Sequence, residues 1–250
     1  MKRFAAFAII LALIIALPPA CSAKQQQGEV VLEPTPLISP TPAPTAGPTD
    51  AISYERLPLI REEAYIDGNV MIYPIVDGAG HARLNGAIYA AVLAGFEEAG
   101  EEAYTFFSVK CNQDGLLSLY VSYYGMESGA LLLRKALNFD INAAREIAIE
   151  ELFNKTNDRW RSIMPDLITE QAESRGIVLL SDILPIADGQ MFYISQSTLT
   201  IVYRPYEIST FSAGWPEFGV PLEDFKLFFE PNGFARRLLE SADINTEQGE

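Results

Sequence analysis

Hydrophobic and polar positions along this chain follow three regimes, and each predicts a different kind of structure. In the first, apolar residues return every third or fourth position. Leu84, Ile88, Val92 and Phe96 make one face of a helix that Gly100 would close. Trp160, Ile163, Met164, Leu167, Ile168 and Gln171 follow the same spacing up to Gly176. Pro165 inside that pattern predicts a kink, or a break into two pieces, because proline lacks the N–H that an inner turn needs. In the second regime, apolar residues alternate or run together and predict strands. These are Ile52 to Ile66 (loosely), Val70–Val76, Tyr104–Cys111, Leu116–Tyr124, Ala130–Phe139, Met191–Ser195 and Leu199–Tyr203, with a short strand near Phe218–Pro221.

The residues between the strands predict how they connect. Asp67-Gly68-Asn69 and Asn112-Gln113-Asp114-Gly115 are turns, since Asp-Gly tolerates the backbone angles of a tight hairpin. A further hairpin is expected around Gln196-Ser197, and Glu150–Phe153 reads as a short helical turn. Pro74 places its strand at a sheet edge, or itself at a strand end. Adjacent antiparallel runs with helices between them argue an α+β fold, an antiparallel sheet with helices packed on it, rather than a series of βαβ units.

The third regime has no periodicity. From Ser22 to about Asp50 the chain is polar, and Glu33–Thr49 holds six prolines. Such a run favours extended polyproline II and predicts a semi-rigid tether. Before it, Met1-Lys2-Arg3 leads into 14 apolar residues, Phe4–Leu17. At 1.5 Å per residue these span about 21 Å of helix, short of a bilayer core of about 30 Å. The run reads as the core of a secretory signal. Ala20-Cys21-Ser22 follows and resembles a bacterial lipobox, in which the cysteine is acylated and becomes the new N-terminus. The expected layout is a signal peptide at 1–20, a Pro/Thr-rich tether at 21–52, an α+β extracellular domain at 53–240 and a disordered tail at 241–250. Cys21 is the expected lipid anchor, palmitate its expected acyl group, and the outer face of the cell membrane the expected location.

Charge narrows the partners. Eighteen basic and 33 acidic residues give a net charge of −15, or −17 once Lys2 and Arg3 leave with the signal. That balance disfavours nucleic acid and anionic lipid surfaces, and it favours cationic partners. The search for catalytic chemistry returns little. His81, the one histidine, sits in a loop before a helix and predicts a loop or near-cap residue. Cys111 ends an apolar strand pattern and predicts a small buried hydrophobe. No phosphate loop, nucleophile elbow or EF-hand spacing occurs, so no cofactor or metal is expected. The carboxylate pairs Glu62-Glu63, Glu97-Glu98, Glu101-Glu102, Glu150-Glu151 and Glu223-Asp224 are adjacent in sequence, which turns their side chains apart. Aromatic residues offer more. Tyr120, Tyr123 and Tyr124 share one strand, while Tyr203, Tyr206, Phe211 and Trp215 cluster late in the chain. Exposed, they would suit a protein or carbohydrate partner; alternatively, alternate members pack in the core.

The segment Leu199–Phe225, with its Tyr203-Arg-Pro-Tyr206, Gly214 and Pro221, resembles the RsiV-type extracellular domain family. That family includes the ectodomain of a lysozyme-sensing anti-sigma factor and the N-terminal domain of the peptidoglycan deacetylase PdaC. Tyr73-Pro74-Ile75 with Leu84-Asn85, and Asn138-Phe139-Asp140 with Ile149–Phe153, are similar to it in the same order. The likeness spans about residues 55–230. Two places depart from the family pattern: Gly125–Ala130 lacks the usual histidine, and Asn142–Arg145 replaces a Thr-Gly-Lys turn. The resemblance implies an α+β fold and a non-catalytic module that binds a lysozyme-like cationic protein or cell-wall glycan. The candidate binding residues are Tyr203, Tyr206, Glu207, Trp215 and Glu217. The alternatives are a carboxylate-dependent cell-wall hydrolase and a structural protein of envelope assembly.

Overall fold

In the computed structural model, residues 56–247 are described, and they lie within one compact unit, Asp50–Glu250. The expected signal peptide, Cys21 and the tether fall outside the described residues. Six strands form the larger sheet in sequence order: β1 (Leu59–Ile66), β2 (Asn69–Val76), β3 (Ala103–Gln113), β4 (Leu116–Gly125), β5 (Leu131–Asp140) and β6 (Arg145–Glu146). Three more make a small antiparallel sheet: β7 (Phe192–Ser195), β8 (Thr198–Val202) and β9 (Glu217–Pro221). Helix α1 (Ala82–Ala99) joins β2 to β3, α2 (Trp160–Ser174) precedes the small sheet, and α3 (Phe234–Glu247) ends the described chain. The α+β class expected from the sequence is the class observed.

One pairing in the large sheet is parallel, β2 against β3 across the α1 crossover, and it is registered only at Val70–Tyr104. Farther along β2, side chains replace the ladder. Thr105 Oγ1 accepts from the Ile72 N–H at 2.7 Å and donates to the Ile72 carbonyl at 2.8 Å. Asn85 does the same for Val76, at 2.8 and 2.9 Å. Pro74 lies between them on the side where a donor would have no strand partner. The strand is therefore second in the sheet rather than at its edge, as Pro74 had suggested, because the proline sits where the ladder has already ended.

Helix α1 packs its buried Leu84, Ile88, Val92 and Phe96 on Leu117, Leu119, Val121 and Tyr123 of β4. Gly95 permits this approach: a Cβ there would collide with the Tyr123 ring, whose hydroxyl donates to the Val92 carbonyl at 2.8 Å. Gly100 closes the helix in a left-handed conformation (φ 76°) and His81 stands at its N-cap, as the pattern predicted. Cys111 is buried, and burial pushes its thiol up to about 11.

Helix α2 is continuous through Pro165. The Arg161 carbonyl, which Pro165 cannot serve, accepts the Ile186 N–H at 3.1 Å, so a neighbouring segment satisfies the group. Helix α3 extends to Glu247, past residue 240 where hydrophobic patterning gave out. It is tied to the turn between β3 and β4. Asp114 and Gly115 (φ 54° and 79°) make the predicted tight turn, and Asp114 then accepts from Arg237 Nε at 3.1 Å and from the Ser241 hydroxyl at 2.8 Å.

A buried polar network joins the two sheets. Ser118 donates to Asn138 Oδ1 at 2.6 Å, Asn138 Nδ2 donates to the Phe192 carbonyl at 2.7 Å, and the Ile194 N–H donates to Ser118 Oγ at 3.2 Å. The Asn138-Phe139-Asp140 motif thus has three separate tasks. Asn138 ties the sheets, Phe139 is fully buried, and Asp140 Oδ1 accepts the Asn142 and Ala143 N–H groups at 2.9 Å each.

Candidate functional site

The aromatic segment singled out from the sequence is the connection between β8 and β9, closed at its base by the Tyr203 N–H donating to the Pro216 carbonyl at 2.9 Å. Arg204-Pro205-Tyr206-Glu207 forms a turn in which the Glu207 N–H donates to the Arg204 carbonyl at 3.1 Å. Proline presets the first central position, and Tyr206 takes the second at φ 67°, a left-handed conformation more natural to glycine. Glu207 fixes the turn by accepting the Arg204 N–H at 2.7 Å. Tyr206 stacks on Phe211 with ring centroids 5.7 Å apart, and both are 66% exposed. A solvated aromatic pair held on a strained turn is the most conspicuous surface feature of this segment.

The other candidates lie elsewhere. Tyr203 is buried against Phe218, and burial pushes its hydroxyl well above the ordinary tyrosine range. It is a core residue because β8 continues its inward alternation to that point. Trp215 is half-buried, packed between the two sheets. Glu217 is committed internally: it accepts from Tyr120 at 3.0 Å, from Tyr193 at 2.8 Å and from Arg134 at 3.1 Å. Only Tyr206 and Glu207 of the five therefore stand exposed. Tyr123 faces α1 while Tyr120 and Tyr124 face the other side of β4, so that strand divides as alternation requires.

An acidic cleft of about 620 Å³ lies beside α2 and was not foreseen. Asp166, Glu170 and Glu173 line it at positions one and two turns apart on the helix, and Asp182 faces them from the following segment. None of the four has an ion pair among the described residues. Leu180 in its wall is 55% exposed, and Val178 and Leu184 nearby are 69% and 77% exposed. This wall is tied directly to the aromatic loop, since Leu179 bridges Ser209 and the Leu180 N–H donates to the Ile208 carbonyl at 2.9 Å. Aromatic pair and acidic cleft are thus two parts of one scaffolded region. The spacing of Asp166, Glu170 and Glu173 on α2 is the signal the sequence carries, masked by the stronger apolar period of the same helix.

The sequence-adjacent carboxylate pairs do not converge. Glu98 binds Lys135 at 2.9 Å and Arg204 at 2.7 Å; burial raises its carboxyl, but the two cations hold it below the ordinary range. Glu151 pairs with Arg145 at 2.6 Å, Glu150 accepts the Gly189 N–H at 3.2 Å, and Glu223 pairs with Lys226. No group of three or more His, Cys, Asp or Glu side chains arranged to hold a metal occurs among the described residues. No described helix is long and apolar enough to cross a membrane.

Residues 139–223 match the family described as "Protein of unknown function (DUF3298)". The match begins at Phe139 and takes in α2, the acidic cleft and the aromatic loop. Among solved structures, a DUF3298 family protein from Pseudomonas aeruginosa is similar, with a TM-score of 0.53 at 15% identity, covering 71% of this chain and 96% of that one. A DUF3298 member from Bacteroides fragilis aligns with a TM-score of 0.45 at 15% identity, covering 70% of this chain and 93% of that one. No curated protein matches the chain. The Pseudomonas likeness supports the fold alone.

Proposed function

We propose that this domain is a non-catalytic binding module that captures a cationic, envelope-directed protein of the lysozyme type at the joined cleft and loop. The observation that carries the proposal is the acidic cleft. Four exposed carboxylates, without ion-pair partners among the described residues, line one cleft beside the exposed Leu180 and near a stacked aromatic pair. Opposite charge speeds encounter and selects a basic partner, while the apolar and aromatic groups supply the desolvated contacts that hold it. The net charge of −15 acts in the same direction over longer range.

In this proposal Cys21 carries the lipid and the proline-rich segment holds the domain away from the bilayer on the outer face of the membrane. The test replaces Asp166 by Asn and Glu170 and Glu173 by Gln in one variant, and Tyr206 and Phe211 by Ala in another. Each is titrated with hen lysozyme beside the unaltered protein. Both should lose affinity, the first chiefly through a slower on-rate and the second through a faster off-rate. Unchanged binding in both folded variants would remove the proposed surface.

A further inference from the structure

A second groove lies on the face of β3, β4 and β5 that points away from α1. The small sheet covers part of that face, where Ser118, Asn138 and Tyr120 meet Phe192, Tyr193 and Glu217. The rest is open. Tyr104, Phe106 and Tyr124 form a cluster there, with centroid separations of 5.6, 5.5 and 6.1 Å, and Phe106 is 52% exposed. Between this cluster and the small sheet is a cavity of about 330 Å³ lined by Ser108, Lys110, Tyr120, Ser122, Arg134 and Glu217, with Phe106 and Phe107 at its side.

The polar groups of the groove are fixed before any ligand arrives. Glu217 holds Arg134 and the Tyr120 and Tyr193 hydroxyls, and it neutralises the guanidinium. Lys110 is different. Its ammonium lies 4.7 Å from the Tyr193 ring centre and 5.3 Å from that of Tyr120, with no carboxylate partner among the described residues. The groove therefore carries one unneutralised positive charge in a protein with an excess of 15 negative ones. Beside that charge stand aromatic faces, two serine hydroxyls and the Arg134 donors.

We propose that this groove binds a carboxylate-bearing saccharide, whose ring face packs on Phe106 while its carboxylate pairs with Lys110. Aromatic rings match the C–H faces of a sugar, and Ser108, Ser122 and Arg134 supply hydrogen bonds to its hydroxyls. A neutral sugar would leave the Lys110 charge unanswered, and an anion without an apolar face would leave the aromatic cluster uncovered. The volume is at the lower end of the ~300–1,000 Å³ typical of small-ligand clefts and suits one or two sugar rings. No lining residue is shared with the α2 cleft, so this site stands or falls independently of lysozyme capture.

The test titrates the intact chain in detergent micelles with two disaccharides, followed by saturation-transfer NMR. One is N-acetylglucosaminyl-N-acetylmuramic acid, which has a carboxylate; the other is neutral diacetylchitobiose. The acidic sugar should bind about threefold to fivefold more tightly, the scale of one partly exposed charge pair. Lys110→Met should abolish that preference, Lys110→Arg should keep it, and Phe106→Ala should weaken both sugars together. Far-ultraviolet circular dichroism confirms that each variant is folded. Equal binding of the two sugars overturns the proposal, as does a preference that survives in Lys110→Met. So does the absence of binding at about 10 mM sugar, about tenfold above a Kd of ~1 mM. Self-association lost in Phe106→Ala without sugar binding would instead assign the face to a second copy of the chain.

Discussion

At the residue scale, Tyr206 separates stability from recognition. Its left-handed backbone is costly for a side chain with a Cβ, by roughly 1–3 kcal/mol for a sparsely populated conformation. Tyr206→Gly should relax the turn and leave the thermal midpoint unchanged or higher, while lysozyme affinity falls several-fold. Scanning calorimetry beside a binding titration checks both, and a large loss of stability would contradict the strain argument. Tyr193 gives a pH signature. Burial, reinforced by the Glu217 hydrogen bond, pushes its hydroxyl up to about 12, so the folded state keeps a proton that the unfolded chain loses near pH 10. Its contribution is complete below about pH 10 and lost as pH rises through about 12. Tyr120, Tyr123 and Tyr203 are displaced the same way by burial. Urea midpoints should therefore fall steadily over that alkaline window, and the fall should be shallower in Tyr193→Phe.

At the element scale, the junction of the two sheets is where one small change should matter most. Ser118→Ala leaves Asn138 Oδ1 without its donor and the Ile194 N–H without its acceptor in a buried setting. Each such group costs about 1–3 kcal/mol, so urea unfolding should show a loss of at least that size with the fold retained. Most strands and the first two helices were legible in the sequence because their apolar periods survive intact. Alternation located β3, β4 and β5, and the fourfold spacing located α1. What escaped has identifiable causes. Strand β6 is two exposed residues, Arg145 and Glu146, too short to show a period. Helix α3 begins after a turn and runs into a polar end, and among the described side chains Ala235, Leu238 and Leu239 mark its buried face. Pro165 does not break α2, because the N–H that answers the Arg161 carbonyl comes from Ile186, 21 positions beyond the proline. Of the candidate site, Tyr206 and Glu207 were legible as part of a motif. The cleft was not, because its fourth carboxylate, Asp182, meets the α2 acids only through tertiary packing.

At the scale of the whole molecule, the proposed anchor and tether, together with the acidic charge, would decide where and how the domain acts. Cys21→Ser should abolish palmitate labelling in growing bacteria and release the chain from the membrane fraction; undiminished labelling would place the lipid elsewhere or nowhere. An acidic domain held at the end of a proline-rich spacer would meet a basic protein approaching the envelope before the bilayer does. The strongest test of that role is calorimetric titration of residues 51–250 with lysozyme at low and physiological ionic strength. Saturable binding at both, weakening as salt screens the cleft carboxylates, is the expected result. Absence of binding at high micromolar protein, or binding indifferent to salt, would contradict capture through the acidic cleft.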